Sequence, residues 1–372
     1  MSFKITKMKE TLITVLRKLK DPRKRHKKKK HLLIDIVILT ILGVLCGADS
    51  WDAIELFGKK KYDFLKKILK LPNGIPSHDT INRVISMIDP KQFEKLFVEW
   101  TKLLAIPGLK EVIAIDGKTM RGSKDSFHNS PPVHLVSAWA SENGLSFGQV
   151  KTSEKSNEIT AIPELIEMLD IEGCIVSIDA MGTQKEIAAK IVEKKADYIL
   201  ALKGNHPFMH EDAGVLFNWK TPDSADEQYD KGHGRIECRK CEVSYQMDLL
   251  DDTENWPEIK SLIKITSSRT IGEKTSTETR FYISSAKLDA LEFNINIRKH
   301  WGVENNLHWV LDVVFNDDRQ RKRVANAAQN FALAQRIALN LLKADKSLKA
   351  SLKSKRLVAA WDNDYLLSVL MR

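Results

Sequence analysis

The sequence contains a short apolar run that ends in a carboxylate, Val112-Ile113-Ala114-Ile115-Asp116, and a second one, Cys174-Ile175-Val176-Ser177-Ile178-Asp179. Such runs are typical of buried strands in α/β proteins, where polar side chains converge at the carboxyl ends of the strands. If the two strands are neighbours, Asp116 and Asp179 lie close together, which is costly unless a proton or a cation intervenes. Carboxylate oxygens suit Mg²⁺ or Mn²⁺, so this pair predicts a divalent metal site.

The segments around these two runs alternate between strand and helix patterns. Two strand patterns flank the turn Glu142-Asn143-Gly144, and a strand–helix–strand–helix–strand series comes next. The further predicted elements are strands at residues 134–140, 145–152 and 198–202 and helices at residues 159–169 and 185–194. This order predicts a mixed sheet with helices on its faces.

A β-type pattern returns at about residues 211–287, and we interpret it as an insertion into the sheet domain. Helical patterns then cover residues 291–315 and 324–342. Basic residues dominate the stretch after the second of these helices, so residues 346–372 are expected to form a basic C-terminal tail.

Residues 32–106 have a helical pattern, because apolar side chains recur there at helical spacing. Pro72-Asn73-Gly74-Ile75-Pro76 marks a turn between two helices, and Ser77 is a good N-cap for the second helix. That helix exposes Asn82 and Arg83, as a helix that enters the major groove of DNA would. An ordinary helical hairpin explains the same pattern, and both interpretations stay open.

The positive charge of the chain is concentrated at its start. The 372 residues carry a net charge of +10, and residues 1–35 account for it, with thirteen Lys or Arg against three Asp or Glu. Residues 1–31 form a basic arm whose densest block is residues 20–30. Such a block binds phosphate backbones, because each neutralised phosphate releases counterions. A solubilising tail has the same composition.

The composition argues against membrane and secreted proteins. The longest apolar run, residues 36–46, has eleven residues, whereas a membrane span needs about 20. Residues 1–4 show no secretory signal, and four cysteines are too few for a disulfide scaffold, so we expect a cytoplasmic protein. Cys238 and Cys241 have no second pair of ligands, which disfavours a zinc site there.

A third acidic residue, Glu304, lies in a helical pattern that breaks the usual residue preferences. Its neighbours Gly302, Asn305 and Asn306 are poor helix formers, and broken local rules indicate a functional constraint. Polar side chains recur every four residues on one stripe: His300, Glu304, His308 and Asp312. Periodicity alone does not make Glu304 catalytic, and a zinc site on this stripe would lack further ligands.

Six motifs occur in order along the chain. They are Asp116-Gly117-Lys118-Thr119-Met120-Arg121-Gly122-Ser123, His134-Leu135-Val136-Ser137-Ala138, Glu154-Lys155-Ser156-Asn157-Glu158-Ile159, Asp179-Ala180-Met181-Gly182-Thr183-Gln184, Ala196-Asp197-Tyr198-Ile199-Leu200-Ala201-Leu202-Lys203-Gly204-Asn205, and His300-Trp301-Gly302-Val303-Glu304-Asn305. Together they closely resemble the H-repeat-associated group of bacterial insertion-sequence transposases, which belong to the DDE superfamily. The resemblance covers about residues 10–345.

The resemblance implies an α/β fold with a ribonuclease-H-like mixed sheet flanked by helices. It divides the chain into the basic arm (1–31), an all-helical DNA-binding or associated domain (32–106), a catalytic domain (107–345) and the basic tail (346–372). The β-rich insertion at about residues 211–287 lies within the catalytic domain.

The resemblance also implies a transposase that cleaves transposon ends and transfers DNA strands by metal-dependent phosphoryl transfer. The family's catalytic and metal-binding carboxylates fall on Asp116, Asp179 and Glu304, which would hold two Mg²⁺ or Mn²⁺ ions. The implied partners are double-stranded DNA, as terminal inverted repeats and target DNA, and a second copy of the chain on paired ends. The implied location is the cytoplasm of a bacterium, at the nucleoid.

Related transposases often carry Tyr, Arg and Lys around the catalytic glutamate, where this sequence has Ile297, His300 and Leu311. We expect His300 to replace the arginine as a phosphate contact. The other expected DNA contacts are Lys118, Arg121, Lys203, His233, Arg235, Asn82 and Arg83. For Lys118, Arg121 and Lys203, the alternative is solvent exposure without a DNA contact.

Two other functions fit the same resemblance. A regulator descended from a transposase would bind DNA without cutting it, and a metal-dependent nuclease would cut DNA without joining strands. The intact set of three carboxylates argues against the regulator.

Overall fold

The computed structural model describes residues 11–24, 29–128, 130–152, 158–232 and 234–372. His233, residues 154–157 of the third motif, and residues 1–10 and 25–28 of the basic arm lie outside the described residues. The α-helices are α1 (Leu12–Leu16), α2 (Leu33–Leu45), α3 (Trp51–Lys60), α4 (Tyr62–Leu65), α5 (His78–Met87), α6 (Pro90–Leu104), α7 (Glu158–Met168), α8 (Lys185–Glu193), α9 (Pro207–Trp219), α10 (Ala290–His300), α11 (Trp309–Phe315), α12 (Ala327–Ala344), α13 (Leu352–Trp361) and α14 (Asn363–Leu370). The strands are β1 (Val112–Met120), β2 (Val133–Ala140), β3 (Leu145–Lys151), β4 (Ile175–Ile178), β5 (Asp197–Leu202), β6 (Ser224–Gly232), β7 (Arg235–Ser244), β8 (Ser261–Ile271) and β9 (Lys274–Ser284).

Within the described ranges, the strands form one mixed sheet in the order β3-β2-β1-β4-β5-β9-β8-β7-β6. β2 pairs antiparallel with β1 and β3, whereas β4 pairs in parallel with β1 and β5. The parallel strands are connected through α7 and α8, as βαβ crossovers require. This is the ribonuclease-H-like arrangement, and it confirms the predicted fold class.

The central strands are apolar along their length because helices cover both faces of the sheet. On one face, Ile113 and Ile115 of β1 pack in a core with Ile162 and Leu165 of α7. On the other face, Ala114 belongs to the core that contains α11 and α12. Odd- and even-numbered residues of β1 therefore look towards different layers of the molecule.

The β-rich insertion continues the same sheet. β9 pairs antiparallel with β5, and β8, β7 and β6 extend the sheet as an antiparallel meander. The strands of this stretch begin at Ser224, because residues 207–219 form α9. The inner ends of β8 and β9 are buried and their outer halves are exposed, so the meander projects beyond the central core.

The N-terminal helices share one hydrophobic core with the C-terminal part of the chain. This core joins buried residues of α1–α6 to residues of α11–α14. Residues 346–372, expected as a basic tail, form α13 and α14, and Leu366 and Val369 are part of the core. Two of the basic side chains are internal: Lys355 donates to the Leu342 carbonyl (3.0 Å) and Arg356 to the Val44 carbonyl (2.7 Å).

Helix α2 corresponds to the long apolar run of the sequence and is buried around almost its whole circumference. Its Asp35 carboxylate accepts a hydrogen bond from the backbone N–H of Leu71 (2.8 Å), which satisfies the buried acid. No helix in the described part of the chain has both the length and the apolar character needed to cross a membrane.

Glu94 of α6 is a buried acid where the helical region meets α12. The residue is 4% exposed, and Gln329 of α12 donates a hydrogen bond to its carboxylate (2.6 Å). Burial raises the pKa of Glu94 to about 7. The folded protein therefore retains a proton on Glu94 over a pH range in which the unfolded chain has lost it.

We predict that Glu94→Gln increases the free energy of unfolding by about 3 kcal/mol at pH 8 and changes it little at about pH 4.5. The folded pKa is higher than the unfolded one, so the wild type loses stability as the pH rises from about 4.5 to about 7. Urea unfolding across this range measures the effect. Glu99→Gln, on the same helix but partly exposed and paired with Lys18, is the control. Parallel pH profiles for Glu94→Gln and the wild type would contradict the prediction.

Candidate active site

Asp116 and Asp179 lie side by side at one edge of the central strands. β1 and β4 pair in parallel as far as Ile115 and Ile178, so the next residue on each strand is one of the two acids. β4 ends there, whereas β1 continues because residues 116–120 still pair with β2. The expectation that both acids end strands is therefore correct for Asp179 only, and Asp116 lies where its strand loses its β4 neighbour.

The Asp116 carboxylate is held by the backbone N–H of the next residue and by a histidine side chain. Its Oδ1 accepts a hydrogen bond from the Gly117 N–H (2.9 Å), and its Oδ2 lies 3.4 Å from Nδ1 of His308. Burial raises the pKa of Asp116, but the hydrogen bond from His308 and the charges of His308 and His300 hold the pKa below its ordinary value. Asp116 is therefore ionised at neutral pH.

Asp179 is oriented by the turn that comes after β4. Its Oδ1 accepts hydrogen bonds from the N–H groups of Met181 (3.1 Å) and Gly182 (3.3 Å). Burial raises the pKa of Asp179, and the negative charges of Glu158 and Asp116 raise it further against the opposing effect of the Gly182 hydrogen bond. The carboxylate thus has a fixed position and a reduced tendency to ionise.

Glu304 approaches this edge from a helix with an irregular turn. α10 begins with a capping box formed by Asp289 and Glu292, and beyond α10 residues Val303–His308 form a π-helical turn. Such turns are rare and frequent at functional sites. A Cβ at Gly302 would lie 3.1 Å from the Trp139 indole nitrogen, so glycine allows the helix to lie close to β2.

The charge of Glu304 is coupled to the acids on the strands. Burial raises the pKa of Glu304, and the negative charge of Asp116 raises it further, while His308 and Arg280 act in the opposite direction. Glu304 is therefore near enough to Asp116 for their charges to interact, as Asp116 is to Asp179.

The polar stripe predicted on this helix lies across the same edge of the sheet. His300 Nδ1 is 3.1 Å from the Ser177 hydroxyl of β4, and burial lowers the pKa of His300. The ring is thus bound to the strand that carries Asp179. Its expected role as a phosphate contact stays a prediction.

The three predicted carboxylates fit a divalent cation by the chemistry of their donor atoms. Asp116 is ionised, and Asp179 and Glu304 have raised pKa values, as expected for acids that a bound cation would relieve of mutual repulsion. Among the residues that the structure describes, however, these three do not form a group in which all ligand oxygens lie within 4.8 Å of one another. The arrangement is more open than a closed single-ion cage.

A second acidic group lies beside the site and is neutralised from within. Asp312, Asp317 and Asp318 do place their oxygens within 4.8 Å of one another. The ammonium of Lys118, whose side chain is 9% exposed, lies among them at 2.7, 3.1 and 3.0 Å respectively. We therefore correct the expectation that Lys118 contacts DNA, because its charge is used in internal ion pairs.

The other expected DNA contacts lie on different parts of the surface. Arg121 is 85% exposed near Asp318 (3.7 Å), and Lys203 is exposed after β5. Arg83 is exposed on α5, whereas the Asn82 amide oxygen lies 3.1 Å from the Ser86 hydroxyl that donates to it. In the described part of the chain, none of these side chains forms a hydrogen bond or ion pair with Asp116, Asp179 or Glu304.

A groove of about 930 Å³ runs from Glu304 along the β-rich insertion. Its walls carry five arginines: Arg235, Arg239, Arg269, Arg280 and Arg298. The Arg280 guanidinium lies 4.9 Å from the centre of the Trp301 ring, and Nη1 of Arg239 is buried without a hydrogen-bond partner among the described residues. Arg235 was expected at a DNA-facing position, and the structure places it in this groove, paired with Glu237 (2.8 Å).

Two features of the site escape sequence reasoning. The groove arginines come from four separate elements, so no local spacing relates them. Glu158 and His134 belong to two of the six motifs, yet no pattern assigned them a role. One residue in the sequence could have indicated that they lie beside β1. Gly117 directly follows a candidate ligand, and a glycine within a strand indicates that another group approaches the backbone closely.

Family models match most of the chain. The model described as the transposase DDE domain matches residues 107–341, and the DDE_Tnp_1-associated model matches residues 13–101. This chain belongs to the DDE transposase family. The resemblance carried by the six motifs is thereby confirmed.

Two relatives are similar to this chain over nearly their whole length. The chain is 45% identical over 353 residues to the putative transposase YncI of Escherichia coli O157:H7, covering 92% of this chain and 90% of the relative. It is also 45% identical to the H repeat-associated putative transposase YhhI of Escherichia coli K12, covering 92% and 93%. A 56-residue match, 15% of this chain, is 54% identical to the inactive transposase YbfQ of Escherichia coli K12 and covers 67% of it.

One solved structure similar to this DDE transposase is the piggyBac transposase in a synaptic complex with hairpin DNA. The TM-score is 0.47 at 12% sequence identity, over 96% of this chain and 78% of that chain.

We predict that Lys118→Met lowers the free energy of unfolding by about 3–5 kcal/mol, because it leaves the buried carboxylate of Asp317 and the half-buried ones of Asp312 and Asp318 without their counter-charge. Urea unfolding at neutral pH measures the loss, and Lys124→Met, at an exposed position, is the control. If Lys118→Met keeps wild-type stability and instead weakens DNA binding, the expected DNA contact is restored and our correction is wrong.

Proposed function

We propose that this chain is an active insertion-sequence transposase that binds transposon ends and catalyses Mg²⁺-dependent strand cleavage and strand transfer. The observation that carries the proposal is the juxtaposition of Asp116 and Asp179 on paired strands, with Glu304 coupled to them from the π-helical turn. Acids gathered in this way have no use in folding, since their repulsion opposes it.

Asp116, Asp179 and Glu304 would hold the metal ions of the reaction. When bound, two Mg²⁺ ions would activate the attacking water or 3′-hydroxyl and stabilise the leaving oxygen. His308 keeps Asp116 ionised, and the Met181 and Gly182 amides keep the Asp179 carboxylate facing one direction. Because the pKa values of Asp179 and Glu304 are raised, cation binding displaces protons and strengthens as the pH rises.

The DNA substrate is proposed to pass along the groove between Glu304 and the β-rich insertion. The groove walls carry five arginines and Lys299 against four acidic residues, so their formal charge is positive. Arg239 has the clearest capacity for a phosphate, because burial and the neighbouring charge of Arg298 lower its pKa and its Nη1 atom has no partner in the described residues. An anionic ligand would relieve both conditions.

The outer face of helix α5 is proposed to recognise the terminal repeats, with Arg83 as an exposed cation on that face. Two copies of the chain would assemble on paired ends, as the resemblance implies.

We predict that Asp116→Asn or Glu304→Gln reduces Mg²⁺-dependent nicking by at least about 100-fold while DNA affinity stays at the wild-type level. The measurement is nicking and strand transfer on a supercoiled plasmid with terminal repeats, beside a gel-shift titration. Glu273→Gln, in the exposed turn between β8 and β9, is the control. Undiminished nicking by either variant would refute the assignment. Wild-type binding without nicking would favour the regulator, and nicking without joined products would favour the nuclease.

We predict that Arg239→Gln weakens binding to any duplex DNA to the same extent and makes the slope of log K against log [salt] shallower by about 0.9. One fewer phosphate is neutralised, and phosphates carry no sequence information. Lys194→Gln, at the end of α8 and paired with Glu167, is the control. An unchanged affinity and salt slope would place Arg239 outside the DNA path, and a loss confined to the terminal repeats would make it a base contact instead of a phosphate contact.

A further inference from the structure

Glu158 is an acid beside the candidate metal centre that the assigned carboxylates do not include. It is the first residue of α7, and its Oε1 lies 2.8 Å from Nε2 of His134 on β2. The other ring nitrogen of His134 lies 2.8 Å from the Thr119 hydroxyl of β1. With its proton on Nε2, the ring donates to Glu158 and accepts from Thr119, so the carboxylate is held in one place.

Gly117 brings this carboxylate against the strand that carries Asp116. A Cβ at position 117 would lie 2.0 Å from Oε1 of Glu158 and 2.5 Å from Nε2 of His134, distances that real side chains essentially never show. Gly117 shares the face of β1 that looks towards α7, whereas Asp116 faces the opposite layer. Glu158 therefore reaches the edge of the sheet from one side while Glu304 reaches it from the other.

The electrostatics place Glu158 close to the second aspartate as well. Burial is the largest cause of the raised pKa of Asp179, and among neighbouring acids the charge of Glu158 contributes more than that of Asp116. The carboxylate thus lies against the backbone at residue 117, next to Asp116, and its charge acts on Asp179.

We propose that Glu158 is a fourth carboxylate ligand of the metal centre, approaching from α7 across Gly117. The inference rests on the proposed function, because it adds a ligand to the two-metal site formed by Asp116, Asp179 and Glu304. Three carboxylates leave one positive charge of two divalent ions unbalanced, and a fourth balances it. Among the described residues, no three of these four carboxylates have ligand oxygens that all lie within 4.8 Å of one another, so a bound ion would have to draw them together.

A purely structural role is the competing explanation, in which Glu158 only pairs with His134. Glu158→Gln separates the two roles, because glutamine still accepts a hydrogen bond from His134 but is a poor ligand for Mg²⁺ or Mn²⁺. Gly117→Ala is an independent probe, because its methyl group must displace the carboxylate while Glu158 keeps its charge.

The test is a calorimetric titration of the metal-free, full-length chain with Mn²⁺, which needs no DNA and no catalytic turnover. We expect Glu158→Gln and Gly117→Ala each to weaken Mn²⁺ binding at least about tenfold. The double variant should lose little more than either single one, since both remove the same contact. Glu164→Gln, on the same helix and paired with Lys91, should bind like the wild type. Melting temperatures of all variants in EDTA should stay close to that of the wild type.

Each contrary result has a separate meaning. Wild-type Mn²⁺ affinity in Glu158→Gln, with binding lost in Asp116→Asn, overturns the fourth ligand and leaves the proposed function intact. Wild-type affinity in Asp116→Asn as well overturns the metal centre itself. A marked drop in the EDTA melting temperature of Glu158→Gln without a change in affinity supports the purely structural role and overturns the proposal.

Discussion

Repulsion between carboxylates at the end of the β1–β4 pair is the constraint on which the site depends. Because β1 and β4 pair in parallel up to Ile115 and Ile178, the residues that follow them, Asp116 and Asp179, must be neighbours. His308 lies beside the Asp116 carboxylate, and backbone N–H groups donate hydrogen bonds to the Asp179 carboxylate. The pKa of Asp179 is nevertheless raised. The negative charge of these acids, at one edge of the sheet, is therefore not fully balanced by the described residues around them.

Two neighbouring acidic groups solve the same electrostatic problem in different ways. Asp312, Asp317 and Asp318 surround the ammonium of Lys118, so their demand is met by the chain itself. The Asp116 group is faced by imidazoles, which are weak and conditional cations at neutral pH. We therefore expect a divalent ion to bind at the Asp116 group and not at the group around Lys118. This holds although the oxygens of Asp312, Asp317 and Asp318 are more closely spaced.

The strands and helices of the catalytic sheet were predictable because each arises from local periodicity. The hairpin, the buried strands and the crossover helices all lie within a few residues of their expected bounds. The site was predictable only in part, because Lys118 and the groove arginines owe their surroundings to residues distant in the chain. Helix α9 was missed because residues 211–219 were assigned to the β-rich insertion, and the poor helix formers around Glu304 indicated an irregularity there without predicting its π-helical form.

The helical region and the catalytic sheet meet on α12, whose buried face is unusually polar. Arg336 is fully buried and donates to the Ser137 hydroxyl (3.0 Å), directly opposite Asp116 in the β1–β2 register. Asn340 exchanges hydrogen bonds with the Ser146 backbone (2.9 and 2.8 Å) on β3, while Asn330 donates to the Ile85 carbonyl of α5 (2.7 Å). Apolar side chains at these positions would avoid the cost of desolvating polar groups, but they would allow α12 to slide along the sheet. The directional hydrogen bonds fix one position of α12 relative to the sheet and to α5. Helix α12 therefore fixes the position of the helical region relative to the strands that carry the carboxylates.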